Sequence, residues 1–161
     1  MTMKILVIYD SVFGNTKAIA QAIGETLGSF GEALMVHVKD AKPGQLTGLS
    51  LLVVGSPTRA FRPTKDITGF LKKIPIGSLN GVKVAAFDTR LSATEMDSGP
   101  IKTFVKLFGY AAKPIADRLV KKGGVLAAPP EGFFVADTEG PLTGGEIERA
   151  NKWAKTIAKA K

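Results

Sequence analysis

The sequence contains no cysteine, which excludes disulfide scaffolds, cysteine-ligated zinc sites, iron–sulfur clusters and thiol nucleophiles. It contains a single histidine, His37, so histidine-rich metal sites and most catalytic triads are excluded as well. His37 falls in a weak strand, far along the chain from the loops discussed below, and we assign it no role. We therefore expect no metal site and no catalytic side chain.

Long hydrophobic runs are also absent. No segment approaches the roughly 20 apolar residues that span a bilayer. The N-terminus runs into a strand pattern without the cleavage site of a signal peptide. These absences predict a cytoplasmic protein with no membrane insertion.

The composition is that of a folded domain. The 161 residues are 45% hydrophobic and 22% charged, close to the globular average. Repeats and linkers are missing, so a single domain over residues 1–161 is expected. The 22 Lys and Arg against 14 Asp and Glu give a net charge of +8, which indicates acidic partners, nucleic acid or anionic surfaces. No recognised nucleic-acid-binding motif accompanies this charge, and we expect no nucleic acid.

Short apolar runs alternate with helical patterns throughout the chain. Strands are predicted at residues 4–9, 33–38 (an edge), 51–54, 82–87 and 125–128. Helices are predicted at residues 15–27, 64–74, 101–108, 114–122 and 145–159. The alternation predicts an α/β fold, a doubly wound parallel sheet with helices on both faces. Such sheets bind ligands at the carboxyl ends of their strands, which makes the following loops candidates: residues 10–16, 56–63, 88–99 and 129–145.

The first of these loops has the character of a phosphate site. It joins a strand to a helix, so backbone N–H groups and the positive end of the helix converge there. Ser11, Asn15 and Thr16 add side-chain donors, Gly14 allows a close turn, and the loop has no Lys or Arg. The Walker loop and the dinucleotide fingerprint are both absent. The alternative is an ordinary capped turn between strand and helix.

The run VIYDSVFGNTKAIAQAI, residues 7–23, resembles the FMN-phosphate signature of flavodoxins at every constrained position. Length, strand spacing and helix order extend the resemblance over essentially all 161 residues. It implies a five-stranded sheet in the order 2-1-3-4-5 and FMN as the cofactor. It also implies that the FMN phosphate contacts this loop, at Ser11, Val12, Phe13, Gly14, Asn15 and Thr16.

The same resemblance places residues 55–63 against the flavin ring. The binding residues implied there are Pro57, Thr58, Arg59, Ala60 and Phe61. Thr58 is a phosphate or ribityl contact, and Phe61 either stacks on the ring or fills the core beneath the loop. This loop has no glycine after Gly55, whereas many flavodoxins flip a glycine peptide here to stabilise one-electron-reduced flavin. A weaker stabilisation of that state is therefore expected.

Residues 88–99 are expected to cover the pyrimidine edge of the flavin. The implied binding residues are Asp88, Thr89, Arg90 and Leu91, with backbone N–H groups of Thr89 to Leu91 as donors. Flavodoxins commonly place a stacking tyrosine in this loop, and residues 88–99 contain no tyrosine. Met96 and Leu91 are the candidates to replace it, and the alternative is an open ring face.

Three arginines lie in the implied flavin loops: Arg59, Arg62 and Arg90. A positive charge near the flavin stabilises its reduced, anionic form and raises its potential. The alternative is that they form solvated pairs with Glu95, Asp97 or Asp66.

The resemblance implies a short-chain, monomeric flavodoxin-like protein that carries electrons between redox partner proteins. Because flavodoxins are commonly acidic and this chain is basic, we expect its partners to present acidic docking surfaces. The sequence Pro57-Thr58-Arg59 is similar to that of flavodoxin-like quinone reductases, so the alternative function is an FMN-dependent NAD(P)H:quinone-type oxidoreductase.

Overall fold

The apolar runs of the sequence form one parallel sheet. A computed structural model describes residues 2–91 and 110–161. Its strands are β1 (Met3–Tyr9), β2 (Gly31–His37), β3 (Leu51–Pro57), β4 (Lys83–Leu91), β5 (Val125–Leu126) and β6 (Glu131–Val135). The order is β2-β1-β3-β4-β5, all strand pairs are parallel, and β6 also pairs with β4. The predicted fold and strand order are confirmed.

Helices in the described residues cover both faces of the sheet. They are α1 (Asn15–Leu27), α2 (Lys65–Lys73), α3 (Ala112–Lys121) and α4 (Glu146–Ala158). Two short 3-10 helices, Val38–Asp40 and Pro43–Leu46, follow β2. Each of the four α-helices agrees with its predicted range to within two residues at either end. The helix predicted at residues 101–108 lies outside the described residues.

Alternate residues of β1 face two different cores. Leu6 and Ile8 pack among residues of α2 and α3, whereas Ile5 and Val7 pack among residues of α1 and α4. All four are at most 2% exposed, as expected for a strand covered on both faces. Because helices cover both faces, the ends of the strands are where a ligand can approach the sheet.

Aromatic side chains fill the core between the sheet and α4. The rings of Phe87, Phe133 and Trp153 meet edge to face, with centroids 6.0 to 6.1 Å apart. A Cβ at Gly55 would lie 2.0 Å from the Phe87 ring, so only glycine fits beneath that ring. The packing thus fixes β3 against β4 just below their carboxyl ends.

Two strands of the sheet extend further than predicted. Strands β3 and β4 continue past their predicted ends because Ser56 and Pro57 pair with Asp88 and Thr89. Asp88, Thr89, Arg90 and Leu91 are therefore strand residues and not loop residues.

The fifth strand begins at the predicted residue but is shorter than predicted. The strand expected at residues 125–128 ends at Leu126, near two prolines, 129 and 130, that have no N–H for a ladder. Residues 131–135, predicted as loop, pair with the carboxyl half of β4 as β6. One edge position of the sheet is thus occupied by two successive short strands.

Candidate functional site

The carboxyl ends of β1, β3 and β4 surround a cavity of about 340 Å³. Of the binding residues predicted from the sequence, all but Ser11, Gly14 and Asp88 line it: Val12, Phe13, Asn15, Thr16, Pro57, Thr58, Arg59, Ala60, Phe61, Thr89, Arg90 and Leu91. The fold thus brings three separate segments to one place. Sequence reasoning missed three further wall residues, Tyr110, Val135 and Thr138.

The loop between β1 and α1 presents free N–H groups to the cavity. Gly14 precedes the helix with a φ of 94°, in the left-handed region that favours glycine. The backbone N–H groups of Asn15 and Thr16 donate no hydrogen bond within residues 2–91 and 110–161. They are donors of the first helical turn, which have no partner inside the helix. Together with the helix dipole they form an anion site without a charged side chain.

Ser11 organises this loop although it does not line the cavity. Its Oγ accepts hydrogen bonds from the N–H groups of Gly14 (3.1 Å) and Lys17 (3.3 Å). A hydroxyl that accepts two bonds still has its own hydrogen to donate. Ser11 therefore holds the turn closed and retains one donor.

Thr16 joins the first loop to β4. Its Oγ1 lies 2.7 Å from Oγ1 of Thr89, and both residues are buried. One of the two hydroxyls donates in this contact and the other keeps its own hydrogen, so a ligand can meet that hydrogen as well as the backbone N–H of Thr16. The bond fixes the distance between two walls of the cavity.

Residues 59–62 form a tight two-residue turn over the cavity. The N–H groups of Arg59 and Arg62 each donate to the other residue's carbonyl, at 2.8 and 3.0 Å. Ala60 and Phe61 between them have φ values of 49° and 65°. Positive φ at both central positions is typical of a type I′ turn, which normally uses Asn and Gly. Each left-handed non-glycine residue costs roughly 1–3 kcal/mol, so strain is stored beside the cavity.

Phe61 and Arg59 lie on the rim. Phe61 is half-buried and belongs to neither core, and its ring centroid is 6.3 Å from that of Tyr110. The Arg59 guanidinium lies 5.8 Å from the centre of the Phe13 ring. The interpretation of Phe61 as core filler is not supported by this position.

Arg90 is paired in a way that the sequence did not predict. Its Nε and Nη2 donate to the two carboxylate oxygens of Asp88, both at 2.6 Å, and Asp88 is fully buried. The backbone N–H of Ala112, at the start of α3, donates to the same carboxylate at 2.9 Å. Burial raises the pKa of Asp88, and the Arg90 guanidinium opposes that rise. The expected solvated pair of Arg90 with Glu95, Asp97 or Asp66 is therefore wrong for Asp66, while Glu95 and Asp97 lie outside the described residues.

Tyr110 completes the wall above Arg90. The Arg90 guanidinium stacks 3.9 Å from the centre of its ring. Tyr110 is 7% exposed, and its Oη is buried without a hydrogen-bond partner among residues 2–91 and 110–161. Burial raises the pKa of this hydroxyl, so it remains protonated and able to donate at neutral pH. A buried hydroxyl without a partner is costly, so among residues 2–91 and 110–161 this Oη is a donor that a bound ligand could satisfy.

His37 is closer to the site than its place in the sequence indicated. In the parallel pair of β1 and β2 it lies opposite Tyr9, and its Nε2 is 3.2 Å from Oδ1 of Asp10. Its Nδ1 accepts the N–H of Lys39 at 3.1 Å. These contacts hold Asp10, which accepts the N–H of Ser11 at 2.8 Å, at the base of the first loop.

Comparison with known proteins identifies the family. A sequence profile described as "Flavodoxin domain" matches residues 6–123. The chain belongs to the flavodoxin family. It is 30% identical over 144 residues to a flavodoxin of Aquifex aeolicus (strain VF5), covering 79% of this chain and 76% of that protein. Flavodoxins bind FMN and transfer electrons to redox partners.

Solved flavodoxins have the same fold. A flavodoxin from the domain Archaea superposes with a TM-score of 0.73 at 24% identity, over 98% of this chain and 97% of that one. Oxidised flavodoxin 2 of Bacillus cereus gives a TM-score of 0.74 at 24% identity, over 97% and 98%. Among the described helices, none is both long and apolar enough to cross a membrane.

The residues of this flavodoxin fit FMN. The N–H groups before and within the first turn of α1 suit a phosphate. The Tyr110 hydroxyl, which has no partner in the described part of the chain, suits a polar atom of a bound molecule. When bound, FMN supplies the one- and two-electron redox chemistry, while the chain supplies position and electrostatics.

Proposed function

We propose that this flavodoxin is an electron carrier that holds one FMN in the cavity of about 340 Å³ and exchanges electrons with partner proteins. The observation that carries the proposal is the convergence of the free N–H groups of α1, the 59–62 turn and the end of β4 on that cavity. Among the described residues, the wall contains no histidine, carboxylate or lysine. A site without such groups holds and tunes a cofactor, and leaves the chemistry to it.

Within this proposal each segment has a separate task. The N–H groups of Asn15 and Thr16 and the Ser11 hydroxyl hold the phosphate. Phe61 stacks on the flavin ring from the strained turn. Tyr110 donates its hydroxyl proton to an acceptor of the cofactor.

The backbone of Thr89 to Leu91 has a smaller part than the sequence indicated. These residues pair with Phe133 to Val135 of β6, so the ladder engages part of their backbone. Arg90, compensated by Asp88, contributes less positive potential at the flavin than a free guanidinium would. Arg59 and Arg62 are the exposed arginines that remain to raise the flavin potential.

The proposed partners are redox proteins with acidic docking surfaces. The net charge of +8 favours attraction over a Debye length of about 8 Å at physiological salt. Electron transfer to such partners should therefore slow as salt is added.

A titration of apoprotein with FMN tests the cofactor site. We expect one flavin per chain, and much weaker binding of riboflavin, which lacks the phosphate. Ser11→Ala should weaken FMN binding about tenfold or more, because hydrogen bonds to charged groups contribute about 1.5–3 kcal/mol. Ser78→Ala is the control, since the exposed Ser78 hydroxyl bonds, among the described residues, only to the Pro75 carbonyl.

Mixing flavin-loaded protein with NADPH in the absence of oxygen distinguishes an electron carrier from an NAD(P)H-dependent oxidoreductase. A carrier keeps its oxidised flavin spectrum for minutes under these conditions. Rapid bleaching by NADPH, followed by turnover with a quinone, would replace the carrier function with the NAD(P)H:quinone-type oxidoreductase. Equal affinity for FMN and riboflavin would contradict the phosphate site itself.

A further inference from the structure

A second, larger depression lies beside the cofactor cavity. It has a volume of about 1430 Å³ and runs between the 59–63 segment with α2 on one side and α3 on the other. Val12, Arg59 and Phe61 line both this depression and the cofactor cavity. Anything bound in it would therefore reach the edge of the flavin site.

Unpaired positive charge lines this depression. Five basic residues on its wall have no carboxylate partner within the described part of the chain, and we call them the basic groove: Arg59, Arg62, Lys65, Lys72 and Arg118.

The acidic residues of the same wall are all engaged. Asp10 lies 3.2 Å from His37, Asp66 lies 4.0 Å from Lys39, and Asp117 lies 2.9 Å from Lys113. Six basic residues against three acidic ones among the described residues of the wall leave an excess of positive charge. This excess is local to the groove, whereas the net charge of +8 belongs to the whole chain.

The basic charges are spread along the groove. Lys65 and Lys72 are seven residues apart on α2, about 10 Å along the helix axis, and Arg118 faces them from α3. A single phosphate needs donors that converge on one point, whereas these cations are distributed over a length. The distribution suits a row of carboxylates.

The flavin end of the groove carries exposed apolar side chains beside Arg59. Val12 is 51% exposed and Phe13 is 45% exposed, and both line the cofactor cavity. Exposed apolar side chains beside a redox centre, next to a charged groove, are the composition of a protein-docking surface with a desolvated contact and a charged rim. A nucleic acid would be attracted by the positive charge but would gain nothing from this apolar patch.

We infer that the basic groove docks an acidic segment of the redox partner, which lies between α2 and α3 and brings the partner's redox centre against Val12 and Phe13. The inference rests on the proposed electron-carrier function and adds where on the chain the partner binds. Charges at the rim of an interface act mainly on the rate of association. Reversing them should slow electron transfer without changing the flavin.

The test uses flavin-loaded, reduced protein and two haem proteins of opposite charge, cytochrome b5 as an acidic acceptor and cytochrome c as a basic one. Second-order rate constants are measured by stopped flow at low salt. The groove variant is Lys72→Glu with Arg118→Glu, and the matched control is Lys152→Glu with Lys155→Glu on α4, which makes the same change in net charge at exposed positions away from the groove.

The groove variant should reduce cytochrome b5 about tenfold more slowly than the wild type, with the difference vanishing at high salt. The control should change that rate less than twofold, and neither variant should slow the reduction of cytochrome c. Equal losses in the groove and control variants would overturn the inference and leave a general charge effect. If the flavin-loaded wild type reduces neither acceptor, the carrier function itself fails, and the inference fails with it.

A salt-dependent complex with a 12-residue oligonucleotide, weakened by the groove variant and not by the control, would also overturn the inference. It would assign the groove to nucleic acid. Binding of a 12-residue oligoglutamate with that pattern of variants supports it. Flavin content and circular dichroism confirm that all variants are folded.

Discussion

Asp88 and Arg90 stand two residues apart on one strand and form a two-pronged ion pair, with both N–O distances 2.6 Å, at the wall of the cofactor cavity. The carboxylate is fully buried and also accepts the N–H of Ala112. The pair therefore joins the end of β4 to the start of α3 and places Arg90 against Tyr110.

Replacing Asp88 by Asn should destabilise the protein by about 3–5 kcal/mol, because it leaves a largely buried guanidinium without its counter-charge. Urea unfolding of the apoprotein measures this. Asp117→Asn, which breaks the exposed pair with Lys113, is the control and should cost less than about 1 kcal/mol. Adding Arg90→Met to Asp88→Asn should recover part of the loss. Equal effects of the two Asp replacements would show that burial does not set the strength of the Asp88 pair.

Tyr110→Phe should have opposite effects on the stability of the apoprotein and on its affinity for FMN. The hydroxyl has no partner in the described chain, so its removal leaves the apoprotein as stable or more stable. If the hydroxyl donates to FMN, the same change weakens FMN binding by about 0.5–1.5 kcal/mol, roughly two- to twelvefold. Thermal unfolding with and without FMN gives both quantities. Unchanged affinity for FMN would remove Tyr110 from the cofactor site.

Ala60→Gly should stabilise the protein by up to about 1 kcal/mol, because Ala60 has a φ of 49° and glycine adopts that conformation without strain. Ala18→Gly on α1 makes the same chemical change in a helix and should destabilise by about 0.5–1 kcal/mol. Opposite signs in urea unfolding are the expected result. A loss of stability in both variants would mean that the turn is not strained at Ala60.

Glu146→Gln should lower stability at neutral pH by at least about 1 kcal/mol, and the loss should disappear in acid. Partial burial by itself raises the pKa of Glu146, but the Arg149 side chain and the N–H of Phe134 outweigh it and lower the pKa below its ordinary value of 4.5. The folded state then binds protons less readily than the unfolded state. The stabilisation is therefore present above pH 4.5 and is lost as the pH falls through the folded-state pKa.

Unfolding curves from pH 7 down to pH 3 check this prediction. Glu148→Gln on the same helix is the control, because Glu148 is exposed and bonds to nothing in the described residues. A gap between wild type and Glu146→Gln that widens in acid would contradict the assigned direction of the pKa shift.

The central part of the fold could be predicted from local patterns. The runs that form β1 and β3 are apolar on both faces, and α1 and α4 repeat their apolar residues at helical spacing. The pairing of β6 with β4 could not be predicted in this way, because residues 131–135 contain a glycine and follow two prolines. They become a strand only because the carboxyl half of β4 offers them an edge.

The candidate site was likewise predictable only in part. The loops at the strand ends were predictable because parallel strands end at one edge of the sheet. Tyr110 was missed because it lies outside those loops along the chain, between residues 88–99 and 129–145, and reaches the cavity from the residues just before α3. His37 was missed because distance along the chain was taken as distance in space, although β1 and β2 bring it to Asp10. The Asp88–Arg90 pair did have a local signal, since residues two apart on a strand share a face.

The aromatic cluster of Phe87, Phe133 and Trp153 gives the protein a built-in optical reporter. Trp153 is the only tryptophan in the sequence, it is 7% exposed, and its neighbours belong to the strands that end at the cavity. Its emission therefore comes from one known place, shifts to longer wavelength when α4 leaves the sheet, and is quenched by energy transfer when a flavin binds. Unfolding and cofactor loading can both be followed on the unmodified chain, with no added label.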